Sequence, residues 1–331
     1  MADLRFGLLG AGRIGRIHGA NVVAHRRARL VAVADSNSSA AEDLAAGHGA
    51  EVRDLDAILE ARDVDAVLIA TPTDTHADLI ERAARAGKAI FCEKPVSLDA
   101  ARTRACLEVV RDSGARLMVG FNRRFDPSFA DLRGRIVAGE IGAVELVTIL
   151  SRDPAPPPVD YIARSGGLFR DMMIHDFDMA RFLLGEEPVT VQAVGSCLVN
   201  PDIGAAGDVD TAAVLLATAT GRIAQISNSR RATYGYDQRV EVHGSGGLLA
   251  AGNRRATTVT IADARGYAVD PALPFFLERY ADAYRAEIDT FIRGVLDGEP
   301  LSPTGEDGLR AQELADSATE SARSGETVRL R

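Results

Sequence analysis

The sequence predicts an α/β protein of two domains. The first is a doubly wound parallel sheet, and the second is an α+β domain with a large, open, mostly antiparallel sheet. Three observations support this. Apolar strand-like runs alternate with helical patterns as far as residue 122. A glycine-rich turn, Gly10–Gly15, joins the first strand to the first helix. After residue 123, strand-like runs follow one another with few helices, which favours antiparallel pairing.

Residues 1–122 read as repeated βα units. The predicted strands are 4–9, 30–34, 64–70, 89–92 and 117–120. The predicted helices run to about residue 25 and over 75–86 and 99–113. Because ligands of such sheets bind beyond the carboxyl ends of the strands, residues that follow each strand are candidates for one crevice.

Residues 123–331 form the second predicted domain, with the C-terminal helices free to pack back on the first. The predicted strands are 144–151, 189–199, 212–218, 223–229, 238–243 and 257–262. The predicted helices run to about 138 and over 171–184, 280–296 and 305–323. The proline-rich stretch 154–158 lies between a strand and a motif, so it reads as a stiff loop.

Composition narrows the classes of partner. The 331 residues carry a net charge of −9, which disfavours nucleic acid and anionic membrane surfaces. No apolar run approaches the roughly 18 residues of a membrane span, and the chain opens directly on a strand, so no signal peptide is expected. Cys92, Cys106 and Cys197 lack metal-type spacing and are too few for a disulfide framework. We therefore expect a cytoplasmic protein with no metal.

Gly10, Gly12 and Gly15 form a G-x-G-x-x-G pattern between a strand and a helix, with Asp35 twenty positions further on. This context matches the dinucleotide fingerprint of the Rossmann fold, whereas a glycine-rich turn without a ligand is the alternative. Asp35 can accept hydrogen bonds from the adenosine ribose and would repel a 2′-phosphate. Since no Arg or Lys follows in Ser36–Ser38, the sequence predicts NAD rather than NADP.

Lys94 follows the predicted strand 89–92 and precedes Pro95. A cation there can stabilise charge on a substrate oxygen, although an ordinary surface lysine is the alternative. A cis peptide bond before Pro95 is possible and cannot be read from sequence. The cofactor-binding candidates are Gly10, Gly12, Arg13, Ile14, Gly15, Asp35, Ser36, Thr71, Pro72, Thr73, His76, Glu93, Lys94 and Asn122. For His76 a structural role is the simpler interpretation.

Asp171 and His175 are four residues apart in 166–178, so a helix would place them on one face. A carboxylate beside an imidazole fixes its tautomer and stabilises its protonated form, as a general base requires. A solvated ion pair or a helix cap is the alternative for such spacing. The dinucleotide pattern and Lys94 in the same chain favour the catalytic interpretation.

The order Gly10-x-Gly12-x-x-Gly15, Glu93-Lys94-Pro95 and Gly166-Gly167-x-x-x-Asp171-x-x-x-His175-x-x-Asp178 resembles the glucose–fructose oxidoreductase/inositol dehydrogenase/rhizopine catabolism superfamily. The resemblance covers essentially the whole chain and favours the inositol dehydrogenase branch. The segments 120–127, 151–154 and 228–237 carry that narrower similarity.

The resemblance implies NAD-dependent oxidation of a secondary alcohol of a cyclic polyol to a ketone, with myo-inositol as the expected substrate. It implies that Lys94, Asp171 and His175 are catalytic: His175 takes the hydroxyl proton, Asp171 orients it, and Lys94 holds the reacting oxygen. It also implies association through the exposed sheet face, commonly as a homotetramer. Scyllo-inositol or a pyranose sugar, an NAD-dependent glycosidase, and a non-catalytic dinucleotide sensor remain alternatives.

A polyol needs many polar contacts around its ring. The substrate-binding candidates are Lys94, Asn122, Arg123, Arg152, Asp153, Asp171, His175, Asp178, Tyr234 and Tyr236. Structural alternatives stand beside several of them. Arg123 could form a structural pair, Asp153 could only start the proline-rich turn, and Asp178 could only hold its helix. One of the two tyrosines is expected to serve packing alone.

Overall fold

The computed structural model describes residues 3–330, apart from the side chain of residue 163. The chain divides into two compact units. The first comprises the chain up to Asn122 together with Ala283–Gln312, and the second comprises Arg123–Asp282 together with the chain from Glu313 onwards. Within the described residues, no helix combines the length and the apolar character that crossing a membrane requires.

The first unit alternates strands and helices. In chain order they are β1 (Leu4–Leu9), α1 (Arg13–Ala24), β2 (Ala28–Ala34), α2 (Ser38–His48), β3 (Glu51–Val52), α3 (Leu55–Glu60), β4 (Ala66–Ile69), α4 (His76–Arg85), β5 (Ala89–Glu93), α5 (Ala100–Ser113) and β6 (Leu117–Gly120). The strand β4 is buried at every position, as strands covered on both faces require. The α helices α2 and α3 and the short strand β3 were not predicted.

The sheet of the first unit has the order β3-β2-β1-β4-β5-β6, and all its pairings are parallel. The chain moves outward from β1 to β3 and then returns to β4 on the other side of β1. That reversal opens a crevice at the carboxyl ends of β1 and β4, where ligands of such sheets bind. The predicted doubly wound parallel sheet is confirmed.

Part of the later chain belongs to this unit. The ring of Phe291 packs against Phe6 and Phe91, with ring centres 5.9 and 5.8 Å apart. Arg27 makes a two-bond ion pair with Asp297. The helix that carries Phe291 and Asp297 therefore covers one face of the parallel sheet.

The second unit is built around a larger sheet. Its elements are α6 (Pro127–Val137), β7 (Val144–Arg152), α7 (Val159–Ser165), α8 (Ile174–Leu184), β8 (Pro188–Ser196), α9 (Pro201–Ala205), β9 (Thr211–Thr218), β10 (Ile223–Ser229), β11 (Asp237–Gly244), β12 (Gly247–Ala251), β13 (Thr260–Asp263), β14 (Gly266–Val269) and α10 (Phe276–Arg279). The C-terminal elements are α11 (Ala281–Asp297), which begins in this unit and continues in the first, α12 (Gly305–Ser324), which begins in the first and ends here, and β15 (Val328–Arg329).

This sheet has the order β12-β11-β7-β10-β9-β8-β15. Among the described residues, β7 and β10 pair in parallel and the remaining neighbours pair antiparallel, so the sheet is mixed and mostly antiparallel. Helices α6 and α8 pack against it. The predicted strand 257–262 is observed as β13, which begins at Thr260 and does not belong to the large sheet. It pairs with β14 in a separate exposed hairpin.

Candidate functional site

Two glycines of the turn after β1 are required by close backbone contacts. Gly10 has φ +103°, and a Cβ there would lie 2.5 Å from the carbonyl oxygen of Ala70. A Cβ on Gly15 would lie 1.9 Å from the carbonyl oxygen of Gly10. A Cβ on Gly12 would meet nothing within 4 Å, so open space lies above that backbone. The turn thus fits a pyrophosphate at the N-terminus of α1, where helix amides point outward.

Asp35 follows β2 and joins it to the glycine-rich turn. One carboxylate oxygen accepts a hydrogen bond from the backbone N–H of Ala11 at 2.6 Å, and the other accepts one from Asn37 at 2.8 Å. The side chain is half-buried, and a carboxylate oxygen can accept more than one bond. Asp35 can therefore hold the turn in place and still accept bonds from ribose hydroxyls.

His76 ties together the segments that follow β4 and β5. Its Nε2 lies 2.8 Å from the carbonyl oxygen of Thr71, and its Nδ1 lies 2.8 Å from that of Pro95. Both partners are acceptors, so both contacts are hydrogen bonds only when each ring nitrogen carries a hydrogen. The ring is buried. This is the structural role that the sequence left open for His76, and it sets Pro95 beside Thr71.

Lys94 is half-buried at the end of β5, and the Lys94–Pro95 peptide bond is cis. Asn122, which follows β6, is buried. With Gly10, Asp35 and Thr71, these residues follow five strands of the first unit. Parallel strands place their carboxyl ends at one edge of the sheet, so the candidates of this unit share that edge.

Glu93, next to Lys94, belongs to a buried cluster with His18 and Glu287. His18 Nε2 lies 2.6 Å from a carboxylate oxygen of Glu93 and 3.9 Å from one of Glu287. Among the described residues, neither oxygen of Glu287 has a hydrogen-bond partner. Burial, reinforced by the negative charge of Glu93, raises the pKa of Glu287 well above its usual range. Gly120 leaves the room that the Glu93 carboxylate occupies, 3.1 Å from where a Cβ would lie.

Cys92 is fully buried in β5, and burial raises the pKa of its thiol well above the ordinary value. A thiol that stays protonated is a poor nucleophile. Cys92 therefore serves as a small core residue and not as a reactive thiol.

In the second unit, two glycines shape the segment that carries Asp171. Helix α7 ends at Gly166, and Gly166 and Gly167 have φ +85° and +81°. A Cβ on Gly167 would lie 2.5 Å from the carboxylate of Asp208, which accepts the backbone N–H of Leu168. A wide π-helical turn, Leu168–Met172, follows before α8 begins. The predicted continuous helix from 171 is therefore two pieces.

Asp171 lies in the wide turn and His175 in the first turn of α8. Both are half-buried, whereas Met172–Ile174 and Asp176 are buried, so these two side chains are the accessible ones of the segment. The hydroxyl of Tyr161 donates to Oδ1 of Asp171 at 3.2 Å. Arg230 Nη2 lies 3.8 Å from Oδ2 of the same carboxylate.

A buried polar network lies behind this segment. Asp176, fully buried, accepts hydrogen bonds from Ser151 at 2.6 Å and from Asn228 at 2.8 Å, and it pairs with Arg123. Gln238 Oε1 also lies 3.1 Å from the hydroxyl oxygen of Ser151. Arg123 thus has the structural partner that the sequence left as an alternative.

Asp178 is also buried. Arg124 grips its carboxylate with two bonds, of 2.8 Å from Nε and 2.5 Å from Nη2. Arg124 itself stacks over the ring of Phe182, 5.0 Å from its centre. These contacts favour the helix-holding role for Asp178.

The two tyrosines differ. Tyr236 is buried and packs edge-on against Tyr280 and Phe275. Tyr234 is half-exposed, and its hydroxyl donates to Asp237 at 2.8 Å. Tyr236 is therefore the packing residue that the sequence expected one tyrosine to be.

Arg152 and Asp153 end β7. Arg152 Nη2 donates to the hydroxyl of Ser227 at 3.2 Å, and the backbone N–H of Asp153 donates to the carbonyl of Ser229 at 3.0 Å. Burial raises the pKa of Asp153 to about 6, against the opposing charges of Arg230 and Arg123. A carboxyl that titrates near neutral pH is typical of functional sites.

Sequence reasoning did not select His18, Glu287, Asp176 or Arg230. Each is buried and faces charged residues that are distant in the sequence, so only the fold shows which groups lie together. A buried charge can be suspected from sequence where it interrupts an apolar pattern, but its partner cannot.

Dinucleotide-dependent oxidoreductases are the class of protein that these two units define. Residues 4–121 match the oxidoreductase family, NAD-binding Rossmann fold, and residues 133–330 match the oxidoreductase family, C-terminal alpha/beta domain. The chain therefore belongs to the glucose–fructose oxidoreductase/inositol dehydrogenase/rhizopine catabolism family, and its nucleotide cofactor is NAD.

Relatives match over nearly their whole lengths. The chain is 62% identical to inositol 2-dehydrogenase of Rhizobium meliloti, covering 96% of each chain. A myo-inositol dehydrogenase structure from Corynebacterium glutamicum superposes with a TM-score of 0.96 at 48% identity, covering 99% of each chain. A scyllo-inositol dehydrogenase from Lactobacillus casei, solved with NAD(H) and scyllo-inositol, gives 0.92 at 31% identity, covering 99% of each chain.

Proposed function

We propose that this chain oxidises myo-inositol to 2-keto-myo-inositol (scyllo-inosose) with NAD. The observation that carries the substrate is the 62% identity to inositol 2-dehydrogenase over 96% of both chains, because a fold of this kind serves many substrates. The geometry of the two units supports the class of reaction. The alternatives of a glycosidase and of a dinucleotide sensor have no such support.

The first unit would hold the cofactor. Gly10, Gly12 and Gly15 with the N-terminus of α1 would take the pyrophosphate, and Asp35 the adenosine ribose. The remaining cofactor contacts proposed are Arg13, Ile14, Ser36, Thr71, Pro72, Thr73, Glu93, Lys94 and Asn122. His76 supports this set by fixing the segments after β4 and β5. When bound, NAD supplies the hydride acceptor at nicotinamide C4.

His175 is proposed to take the proton from the hydroxyl that is oxidised. Asp171 would orient the imidazole and compensate the charge that it gains. Lys94 would donate a hydrogen bond to the reacting oxygen and stabilise its developing charge. The accessibility of Asp171 and His175 beside the buried residues 172–174 and Asp176 supports these roles.

The other ring hydroxyls need donors and acceptors. Arg152, Asp153 and Tyr234 are the proposed contacts of the second unit whose side chains are not fully buried. Arg123, Asp178 and Tyr236 are buried, so we propose that they shape the site by holding other groups. Asp153 is the strongest candidate of the three contacts, because its carboxyl titrates near neutral pH.

The test is a substrate panel. Myo-inositol, scyllo-inositol, other inositols and common pyranoses are each supplied with NAD or NADP, and nicotinamide reduction is followed by absorbance. We expect the highest kcat/KM for myo-inositol with NAD and one NADH formed per ketone. A much higher value for scyllo-inositol or a pyranose would overturn the substrate and keep the reaction class. Absence of net NADH with every substrate would overturn the class.

We also propose that the protein acts in the cytoplasm as a homotetramer. Exposed apolar side chains on one face of the large sheet support association, among them Val194, Leu215, Ile223 and Leu248. Its three cysteines are unpaired, as a reducing compartment favours.

A further inference from the structure

Arg230 directly follows β10 and lies inside the segment 228–237 that carried the narrower family resemblance. Its side chain is almost completely buried. Its backbone N–H donates to the carbonyl of Asp210 at 2.9 Å. The carboxylate of Asp210 in turn accepts backbone N–H groups of the loop that precedes α9, from Leu198, Val199 and Asn200. The backbone of Arg230 is therefore held by Asp210, which is itself bonded to the loop before α9.

The guanidinium of Arg230 is directed at Asp171. Nη2 lies 3.8 Å from Oδ2 of Asp171. Among the described residues, Nε and Nη2 have no hydrogen-bond acceptor. These two nitrogens form the side-on edge with which Arg124 grips Asp178 in this same unit. A buried guanidinium edge at ion-pair distance from a carboxylate is a strong electrostatic partner for it.

The two oxygens of Asp171 have separate partners. Tyr161 donates to Oδ1, and Arg230 faces Oδ2. The second buried arginine nearby, Arg123, is engaged by Asp176 and Ser151. Arg230 is therefore a buried cation beside Asp171, and it acts on Asp153 as well, since it is the charge that most opposes the rise in the pKa of that carboxyl.

We infer that Arg230 is a positioning residue for proton transfer: its fixed charge, 3.8 Å from the Asp171 carboxylate, orients that carboxylate and disfavours an added proton on the Asp171–His175 pair. The inference rests on the proposed function in taking His175 as the base. A fixed cation disfavours an added proton on a neighbouring pair, so a larger share of the pair is in the basic form at neutral pH. Among the described residues, the carboxylate of Asp171 lies 3.8 Å from Arg230, and Asp153 is acted on by the charges of Arg230, Arg123, Asp171 and Asp176.

The test compares Arg230→Gln and Arg230→Lys with the neighbouring Arg231→Gln. Arg231 is exposed and donates to the carbonyl of Val199, so it controls for the loss of a local arginine. Single-turnover hydride transfer is measured against pH at saturating NAD and myo-inositol. In R230Q we expect the acidic limb of the curve of hydride-transfer rate against pH to move to higher pH by about one unit. The hydride-transfer rate at pH 7 should fall about tenfold or more. In R230K the limb should stay close to the original position, because the charge is retained. R231Q should match the unmodified enzyme.

A second readout does not depend on catalysis. The His175 ring is titrated by NMR in the full chain without ligands, with His175→Asn to assign its signals. Its titration should move to higher pH in R230Q and stay in place in R231Q. If folded R230Q shows neither a shift in the NMR titration of His175 nor a shift in the acidic limb of the rate–pH curve, the inference is overturned. If R230Q does not fold, a displaced limb in R230K would overturn it. Failure of the proposed function is distinct, because H175A would then transfer hydride normally while the NMR titration still reports on Arg230.

Discussion

The contacts of each individual carboxylate decide whether it is a candidate for catalysis or a structural residue. One oxygen of Asp171 accepts a hydrogen bond from Tyr161, and the other lies near Arg230. Asp178, seven residues later, has both carboxylate oxygens bonded to the guanidinium of Arg124. The same residue type therefore has two different environments within one segment. A carboxylate whose bonding capacity is taken by a buried arginine holds structure, and one that stays accessible can serve chemistry.

Removal of the base tests the central assignment. His175→Ala should lower the single-turnover rate of hydride transfer by about 10²–10⁴, since general-base catalysis contributes that much. The His175→Ala variant should still bind NAD, because the residues proposed to hold the cofactor lie in the first unit. Lys94→Ala and Asp171→Asn should also lower turnover. Their effects should not add to that of His175→Ala, because we propose that the three residues act on one reacting hydroxyl, and the effects of such residues are strongly non-additive. Normal transfer in His175→Ala across pH would place the base elsewhere.

We expect cofactor preference to depend on Asp35. Asp35→Ser with Ser36→Arg should shift kcat/KM toward NADP, because a repulsion is removed and a charge-assisted partner is added. Asp35→Asn is the matched control, since it loses the charge and keeps an acceptor for the N–H of Ala11. Competition of NAD with NADP measures the shift. Equal use of both cofactors by the unmodified protein would show that Asp35 does not face the ribose.

At the scale of elements, buried polar contacts fix the ends of strands. His76 bridges the segments after β4 and β5, and the cluster of His18, Glu93 and Glu287 joins α1, β5 and α11. The two arrangements contact the residues on either side of Lys94, Pro95 in the first case and Glu93 in the second. Elements that carry functional groups need such support, because positions must be held within fractions of an ångström.

Glu287 makes stability depend on pH. Its pKa is raised in the folded chain, so the folded state takes up a proton that the unfolded state does not hold above pH 4.5. The free energy of unfolding contributed by this group is therefore fully present below that pH and falls as the pH rises. Glu287→Gln cannot titrate. It should flatten this decline and stabilise the protein at pH 8 relative to pH 5, by on the order of 1–3 kcal/mol.

Urea unfolding at the two pH values measures this effect. Glu108→Gln, a change at an exposed position of α5, is the control. It should leave the difference in unfolding free energy between pH 5 and pH 8 unaltered. A Glu287→Gln variant that loses the same stability at both pH values would mean that the carboxyl is ionised in the fold.

At the scale of the whole molecule, the exposed face of the mixed sheet is the surface proposed for association. Val194, Leu215 and Ile223 alternate with buried residues along β8, β9 and β10, as a sheet with one covered face requires. A cluster of exposed apolar side chains of this kind marks an interaction surface.

Light scattering after size exclusion tests the tetramer. The unmodified protein should have roughly four times the 35.1 kDa mass of the chain. Val194→Glu with Leu215→Glu should reduce that mass, because charges would be buried without partners. The pair Val259→Glu and Ile261→Glu, on the separate hairpin, makes the same chemical change outside this sheet. A monomeric unmodified protein, or equal dissociation by both pairs, would contradict the proposed surface.

The sequence by itself determined the parallel sheet, the glycine-rich turn, the acidic end of β2 and the family. These features are local: a turn needs glycine where φ is positive, and apolar runs of strand length alternate with amphipathic helices. Lys94, Asp171 and His175 were selected for the same reason, from spacing and neighbouring residues.

Only the tertiary structure decided which charged residues pair. Arg230 with Asp171, Arg123 with Asp176, and His18 with Glu93 are contacts between distant parts of the chain. It also divided the predicted helix at 171 into a wide turn and α8, and the carboxylate of Asp208 accepts the backbone N–H of Leu168 at the start of that turn. A sequence specifies which groups carry charge, but packing decides which of them meet away from water, and burial there makes each pairing strong.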